Sequence, residues 1–141
     1  MRIHFLLPLL SLLFTAPAWA QRPTVSLIQL IANPEKFDGQ VVRFHGVANI
    51  EFEGNAVFLS KDHRRNMVTS CALWLDLSEE LQKEREWTSG RYVLLEGTFD
   101  KDDRGHMGLF MGALTDIKLF IGHEPEGKKK NEEDGKEDKE R

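Results

Sequence analysis

Imidazole, thioether and carboxylate side chains are concentrated in one run in the second half of the chain. The stretch RGHMGLFMG, residues 104–112, contains His106, Met107 and Met111 and follows directly on the acidic stretch FDKDD. An imidazole nitrogen with thioether sulfurs is a ligand set that suits Cu(I). The stretch is therefore a candidate site for copper or silver.

The same run also fits a hairpin turn that leads into a packed strand. Side chains that alternate along a strand share one face, and here these are Met107, Leu109, Met111, Ala113 and Ile117. Such an apolar set is typical of a core face, where methionines usually fill gaps between other side chains. On this interpretation the fifth strand begins at Met107, and both thioethers lie inside the protein.

Three aspartates between Asp100 and Asp103, followed by Gly105, resemble the start of a calcium-binding loop. That loop needs oxygen ligands at its fifth and twelfth positions. Here those positions are Arg104 and Met111, and neither side chain supplies an oxygen. Aspartate and glycine are also the residues that hairpin turns require. The acidic stretch therefore predicts a turn with solvated charges rather than a calcium site.

The serines and histidines form no recognised catalytic motif. Ser60, Ser70 and Ser89 lie in no nucleophile elbow, and the five histidines show no H-E-x-x-H spacing. Hydrolytic catalysis usually needs a nucleophile with its base, or two carboxylates at a defined separation. The sequence therefore predicts no enzyme and no cofactor, and a hydrolase whose residues meet only on folding is an alternative.

Helical patterns flank the strands that must position these residues. Ser26 and the apolar spacing that follows it predict a helix that ends near Pro34, because the residue before a proline leaves the helical region. The segment SEELQKEREW predicts a second helix capped by Ser78, with acidic residues in its first turn. The polar segment KDHRRNMVTS, residues 61–70, predicts a loop.

Four segments with strand patterns precede the run at Met107, so that five strands are expected. They are QVVRFHGVANI, NAVFLS, CALWLDL and RYVLLEGTFD. Gly97 within the fourth is the usual mark of a bulge or a tight bend. Five antiparallel strands, an N-terminal helix and a helix between strands 3 and 4 predict an all-β fold with flanking helices, namely a five-stranded OB-fold-like Greek-key barrel.

The strand pattern also predicts a ligand-binding surface on the outside of this barrel. Arg43 and His45 point away from the core, and the pairing of strands 1 and 4 in this fold brings them near Glu96. Trp74 points outward from strand 3, and OB-folds often bind ligands around strands 2 and 3 by stacking on an aromatic ring. Trp74, Arg43, His45 and Glu96 are therefore the candidate ligand-binding residues. On the alternative interpretation, Arg43 and Glu96 form an ordinary surface ion pair. A helix or loop then covers the Trp74 indole.

The two ends of the sequence differ from the segment between them. Residues 1–20 contain one arginine, an apolar run at 5–14 and small residues around Trp19, which predicts a signal peptide cut after Ala20. The apolar run is shorter than the roughly 20 residues of a spanning helix. Residues 124–141 have no aliphatic or aromatic side chain, which predicts disorder. The expected division is a signal peptide at 1–20, an OB-fold-like domain at 21–123 and a charged tail at 124–141.

The charge of the chain argues against a nucleic-acid partner. Arg2 lies in the signal peptide, so from Gln21 onward 18 basic residues face 23 acidic ones, a net charge of −5. Nucleic-acid binding depends on a concentrated positive patch. The single cysteine, Cys71, allows no intramolecular disulfide and is expected to act as a small apolar residue. We expect a protein or small ligand as partner, in the periplasm or outside the cell, with no membrane span or lipid anchor.

Four stretches carry a resemblance to a known group of proteins. They are VSLIQLIANPEKFDGQVVRFHG, EFEGNAVFLS, ALWLDL and YVLLEGTFDKDDRGHMGLFMGALTDI, which cover nearly all of residues 25–119. This pattern resembles small exported bacterial proteins with an OB-like fold and no assigned activity. The resemblance implies a barrel, export and no catalytic residues. In architecture the chain is also similar to periplasmic OB barrels, among them stress-associated proteins and copper or silver chaperones, whose motifs it does not match residue by residue.

These observations favour a non-catalytic exported OB-fold module that binds an unidentified protein or ligand. The first alternative is a periplasmic copper- or silver-binding protein that uses His106, Met107 and Met111. The second alternative is a hydrolase without a recognisable motif.

Overall fold

The structure is a computed structural model that describes residues 24–123. Five strands lie in this segment: β1 is Val41–Asn49, β2 is Ala56–Phe58, β3 is Ala72–Leu75, β4 is Tyr92–Asp100 and β5 is Ala113–Gly122. The helices are α1 Leu27–Ala32, α2 Pro34–Phe37, α3 Lys61–Arg65 and α4 Glu79–Arg85. No helix within residues 24–123 is long and apolar enough to cross a membrane. The predicted signal peptide at 1–20, residues 21–23 and the predicted tail at 124–141 lie outside the described residues.

The strands close into a barrel in the order β1-β2-β3-β5-β4. Neighbouring strands run antiparallel except β3 and β5, which are parallel and complete the ring. β1 reaches two neighbours because residues 41–47 pair with β4, whereas residues 47–49 pair with β2. This order, with α4 between β3 and β4, is that of an OB-fold-like barrel. The predicted fold class is confirmed.

Side-chain caps determine where the helices begin. The Gln29 backbone N–H donates to the Ser26 hydroxyl at 3.1 Å, and the Ser26 backbone N–H donates to the Gln29 side chain at 2.9 Å. This reciprocal capping box starts α1, and α2 follows with Pro34 in its first turn, where a proline is tolerated. The Leu81 N–H donates to the Ser78 hydroxyl at 3.3 Å and so caps α4. Both predicted helices are therefore present.

A third cap lies where the sequence predicted a loop. Residues 61–65 form α3, and the His63 backbone N–H donates to the Ser60 hydroxyl at 3.2 Å. The loop prediction for this segment was wrong, because α3 has no buried residue of its own and so shows no apolar periodicity. α3 packs on the outside of β1 and β2, which fits the complete burial of the outward-pointing Val47.

The barrel interior is filled from the inward faces of all five strands. Along β1, Val42, Phe44 and Ala48 point inward while Arg43 and His45 point outward, as predicted. The other strands contribute Val57 from β2, Leu73 and Leu75 from β3, Val93, Leu95 and Phe99 from β4, and Leu114 and Phe120 from β5. Burial of each large apolar side chain contributes about 1.5–3 kcal/mol relative to exposure. This interior is therefore the main source of stability.

β5 bends where it passes Gly97. The register of β4 with β5 shifts at this point, since Glu96 lies opposite Leu119 whereas Thr98 lies opposite Thr115. Gly97 therefore faces a bulge, in which several residues of β5 oppose one residue of β4. A side chain has no room here, because an added Cβ would lie 2.6 Å from the Thr115 carbonyl oxygen. The bulge predicted from Gly97 is confirmed.

The start of β5 differs from the sequence prediction. The strand begins at Ala113 rather than at Met107, because residues 106–108 form a 3-10 turn in which Met107 has a φ of 56°. The expectation that Met107 and Leu109 lie on a core face is wrong, since their side chains are 79% and 50% exposed. Met111 does pack against the core and is partly buried. One of the two thioethers is therefore at the surface.

Substitution of Gly97 tests the dependence of the barrel on this bulge. We expect Gly97→Ala to lower the free energy of unfolding by about 2 kcal/mol or more, because the new methyl group meets backbone atoms of β5. Gly54→Ala is the control, since the nearest atoms to its Cβ belong to the exposed Glu51 side chain rather than to backbone, and the expected change is below about 1 kcal/mol. Urea unfolding followed by circular dichroism measures both. Equal losses in the two variants would contradict the role of Gly97.

Candidate functional site

Arg43 and Glu96 form an ion pair on the outside of the barrel. They are direct neighbours on β1 and β4, and the Arg43 Nη2 and Nε atoms lie 2.6 and 2.8 Å from Glu96 Oε2. The two side chains are partly buried, with 29% and 14% of their surfaces exposed. A surface ion pair contributes about 1 kcal/mol at most. The structure therefore brings Arg43 and Glu96 together, and the charge of each side chain is neutralised by the other.

His45 lies two residues along β1 from Arg43 and faces a second histidine. The rings of His45 and His123 stack, with centroids 5.9 Å apart and planes inclined by 17°. His123 directly follows β5, and both side chains are exposed. Because β4 lies between β1 and β5 in the barrel, the two rings meet above β4.

The outward side chains of β1, β4 and β5 form one continuous surface, the outer β4 face. Strand register orders it into three rows. The rows are Arg43, Glu96 and Leu119; then His45, Leu94 and Ile121; then Val47 and Tyr92, with His123 beside Tyr92. Tyr92 and Ile121 are each 46% exposed. The outer β4 face therefore combines apolar side chains, two imidazoles and one ion pair.

Two aromatic rings lie beneath cations, that of Tyr92 on the outer β4 face and that of Trp87 at the end of the barrel. The Lys61 ammonium lies 5.8 Å from the centre of the Tyr92 ring, and the Arg91 guanidinium carbon lies 5.2 Å from the Trp87 ring. Trp87 follows α4, is 43% exposed and lies near the end of β5, since a Cβ added to Gly122 would be 2.7 Å from its indole. Neither Lys61 nor Arg91 has a carboxylate within 4.0 Å in residues 24–123. Each cation–π contact contributes about 0.5–1 kcal/mol at an exposed site.

Trp74 lies on a different part of the barrel and is covered by the chain itself. It points outward from β3 and packs with Phe58 and Phe110 in a cluster outside the barrel interior. The backbone of Gly105 lies against the indole, so that an added Cβ would be 2.5 Å from the ring atom Cδ2. The β4–β5 loop (residues 101–112) thus closes the face around β2 and β3, where OB-folds usually bind ligands.

The structure does not bring Trp74 together with Arg43 and His45. Trp74 pairs with Ala56, which in turn pairs with Asn49 on β1. Asn49 is six residues along β1 from Arg43, and at about 3.3 Å per residue this is a separation of about 20 Å. No single site is formed by all four of the predicted ligand-binding residues. The observed arrangement is a loop-covered indole and, at a distance, a surface ion pair.

The acidic turn at the start of the β4–β5 loop is held by its own backbone. The N–H groups of Asp103 and Asp102 donate to one Asp100 carboxylate oxygen at 3.0 and 2.9 Å. These two hydrogen bonds lower the pKa of Asp100 below its ordinary value, because they stabilise the ionised carboxylate. The Asp102 carboxylate accepts from Lys101 Nζ at 2.9 Å. The Asp100 and Asp102 carboxylates therefore form hydrogen bonds within the turn.

The three predicted soft-metal ligands lie in the second half of the β4–β5 loop. His106 and Met107 are exposed and directly follow Gly105. Met111 is partly buried, and its sulfur lies 3.5 Å from Arg104 Nη2, a cation that disfavours a metal ion at that sulfur. Within residues 24–123 no three His, Cys, Asp or Glu side chains are grouped to hold a metal ion. His106 and Met107 are the accessible part of this candidate site.

A serine–histidine contact lies at the start of α3. The Ser60 hydroxyl oxygen is 2.7 Å from His63 Nδ1 and also accepts a hydrogen bond from the His63 backbone N–H. No carboxylate of the described segment binds this imidazole, whereas a catalytic triad needs such a group to orient the base. The contact therefore belongs to the helix cap.

Comparison with known proteins finds no relative of the chain. No model of a protein family matches the chain, and searches of curated proteins and of solved structures also find no match. Functional inference therefore depends on the geometry of the chain itself.

Sequence reasoning missed Tyr92, Trp87 and His123 as members of an exposed surface. Alternation along RYVLLEGTFD was a sufficient signal for Tyr92, since it shares a strand face with Glu96. His123 carried no such signal, because it follows β5 and meets His45 only through the arrangement of three strands.

Two loop glycines with positive φ test whether Gly105 holds the loop over Trp74. Gly105 and Gly108 have φ values of 61° and 67°, but a Cβ meets the indole at Gly105 and nothing within 4 Å at Gly108. We expect Gly105→Ala to displace the loop, shift Trp74 emission to the red and raise its quenching by acrylamide. Gly108→Ala also places a side chain at a positive φ and should change neither. A Trp19→Phe, Trp87→Phe background leaves Trp74 as the only tryptophan, and equal spectra of the two glycine variants would contradict the contact.

Proposed function

We propose that the chain is a non-catalytic exported OB-fold-like module that binds a partner protein through the outer β4 face. The observation that carries this proposal is the exposure of Tyr92 and Ile121 on that face, each at 46%. A group of exposed apolar side chains on a soluble domain commonly marks an interaction surface. Aromatic residues and arginine are also enriched in protein interfaces.

The cations around the outer β4 face define the chemistry of the partner. Lys61 and Arg91 lie over aromatic rings, and Arg64 on α3 donates to the Ser89 hydroxyl at 3.2 Å. None of these three cations has a carboxylate within 4.0 Å among the described residues. Cations without ion-pair partners beside exposed rings favour a partner surface with an apolar centre and a rim of carboxylates.

The absence of catalysis is proposed because the candidate catalytic groups already have structural partners. Glu96 binds Arg43, Asp100 accepts backbone hydrogen bonds in its turn, and Ser60 caps α3. Export is proposed from the pattern of residues 1–20, which is typical of a signal peptide. Membership of the group of small exported bacterial OB-like proteins is likewise a proposal, supported by the closed barrel.

A photoreactive side chain at Ile121 tests the outer β4 face in the cell that produces the protein. Ile28 on α1 is the matched control, because it is 58% exposed and lies outside this face. We expect one discrete adduct with another protein from position 121 and little adduct from position 28. No adduct at 121, equal adducts at both positions, or an adduct with a second copy of the chain would contradict the proposal.

The partner found in the adduct is then titrated with the purified protein. We expect Tyr92→Ser to weaken binding by at least about tenfold, as is common for an aromatic residue at the centre of an interface. Added salt should weaken binding further, because it screens cations from carboxylates. An affinity that neither Tyr92→Ser nor salt changes would show that the adduct formed by chance proximity and would contradict the proposed face.

A second candidate function, soft-metal binding, is favoured by the position of His106 and Met107. Both are exposed, and they directly follow Gly105, whose backbone lies on the Trp74 indole. An imidazole with a thioether suits Cu(I) or Ag(I). An ion held by this pair would lie close enough to the indole for tryptophan fluorescence to report it.

Silver titration of the full chain tests this second function. The background carries Trp74 as the only tryptophan and Cys71→Ser, because a thiol competes for silver. We expect Ag⁺ to quench Trp74 emission, Met107→Ala to remove the quenching and Met111→Ala to reduce it less. Leu109→Ala is the matched control, since this side chain is 50% exposed on the same loop and offers no ligand. Quenching that survives Met107→Ala, or none at all, would rule out the loop as a metal site.

A further inference from the structure

His45 and His123 form a pair of rings with no other polar partner in residues 24–123. Both side chains are exposed, their ring centroids are 5.9 Å apart and their planes are inclined by 17°. Neither ring forms an ion pair with a described carboxylate. The charged groups in the adjacent row, Arg43 and Glu96, bind each other. The imidazole nitrogens of both rings are therefore available to an external ligand.

The distance between the two rings fits a shared metal ion. An imidazole nitrogen lies about 2.0–2.1 Å from a bound zinc ion, which places the ring centroid about 3.2 Å from the ion. Two imidazoles on one ion therefore have centroids at most about 6.4 Å apart, and about 5.2 Å apart at a tetrahedral angle. The observed 5.9 Å lies between these values. In the stacked orientation the in-plane nitrogen lone pairs do not point at a common ion, so both exposed side chains must turn to bind one.

The ligand type selects the class of ion. Imidazole nitrogens suit divalent ions such as Zn²⁺, Ni²⁺ and Cu²⁺, whereas thioethers suit Cu(I). Two protein ligands leave the remaining coordination positions of the ion to water or to a group from another molecule. The pair formed by His45 and His123 thus differs from the pair formed by His106 and Met107 in both its place on the barrel and its preferred metal.

We propose that His45 and His123 bind one divalent transition metal ion, with Zn²⁺ as the test case, on the outer β4 face. In the barrel β5 pairs with β4 and β3, and the bound ion links the end of β5 directly to β1. An ion that binds the folded chain but not the unfolded chain raises stability by mass action. The site is complete within this chain, so the proposal does not rest on the partner protein proposed above.

Calorimetric titration of the full chain with Zn²⁺ tests this site. We expect binding of one ion per chain, through the neutral imidazoles of His45 and His123. His45→Gln and His123→Gln should each weaken binding by at least about tenfold, since one of two nitrogen ligands is removed. His106→Gln is the matched control, because it removes an exposed histidine from the β4–β5 loop, and it should bind Zn²⁺ as the unsubstituted chain does.

Histidine ring signals in NMR spectra of the unsubstituted chain give a second readout that needs no variant. We expect Zn²⁺ to shift the ring signals of His45 and His123 together and to leave those of His63 and His106 in place. The thermal midpoint should rise with Zn²⁺ in the unsubstituted chain and in His106→Gln, and not in the other two variants. No binding at about 1 mM Zn²⁺, shifts at other histidines, or an unchanged affinity in both His45→Gln and His123→Gln would overturn the proposal.

Discussion

The bend of β5 over Gly97 is the constraint on which the rest of the structure depends. β5 pairs with β4 on both sides of Gly97, through residues 113–115 and 119–122, and Ala113 and Leu114 also pair in parallel with β3. Between these two paired stretches residues 116–118 of β5 lie opposite Gly97, and this bulge bends the strand so that it follows β4 around the closed barrel. There is space for the bulge because residue 97 has no side chain. Every strand of the barrel then has two neighbours, which removes the open edges that favour aggregation.

The same closure determines which outer surface is covered and which is exposed. Asp100 and Ala113 pair where β4 ends and β5 begins, and Ala113 also pairs with Trp74 on β3. The loop between those two residues therefore starts and ends beside β3, and its Gly105 lies on the indole. On the outer β4 face, by contrast, the rows set by strand register keep Tyr92 exposed. The β4–β5 loop partly covers the face that OB-folds commonly use for ligands, whereas the outer β4 face presents Tyr92, His45 and His123 to solvent.

The sequence predicted correctly those features that follow from the geometry of a single strand. Alternation in β1 and the glycine at 97 both reflect the geometry of a single strand, so the side-chain directions and the bulge could be predicted. The same alternation continues through Met107 and Gly108, but both residues have positive φ and the chain turns instead of extending. A pattern of apolar positions contains no information on the sign of φ. For this reason the prediction that Met107 lies on a core face was wrong. The loop over Trp74 and the stacked imidazoles of His45 and His123 result from pairing between strands that are distant in the sequence. A local sequence pattern cannot predict such pairing.

Charge connects the two proposals for the outer β4 face. Arg43 and Glu96 neutralise each other, whereas Lys61 and Arg91 remain without carboxylate partners in the described segment. A divalent ion on the imidazole pair adds two positive charges to a surface that these cations already border. It also leaves open coordination positions, which a carboxylate oxygen can fill. A partner with an acidic rim then binds more tightly to the metal-loaded face, and by thermodynamic reciprocity the ion binds more tightly in the complex by the same factor.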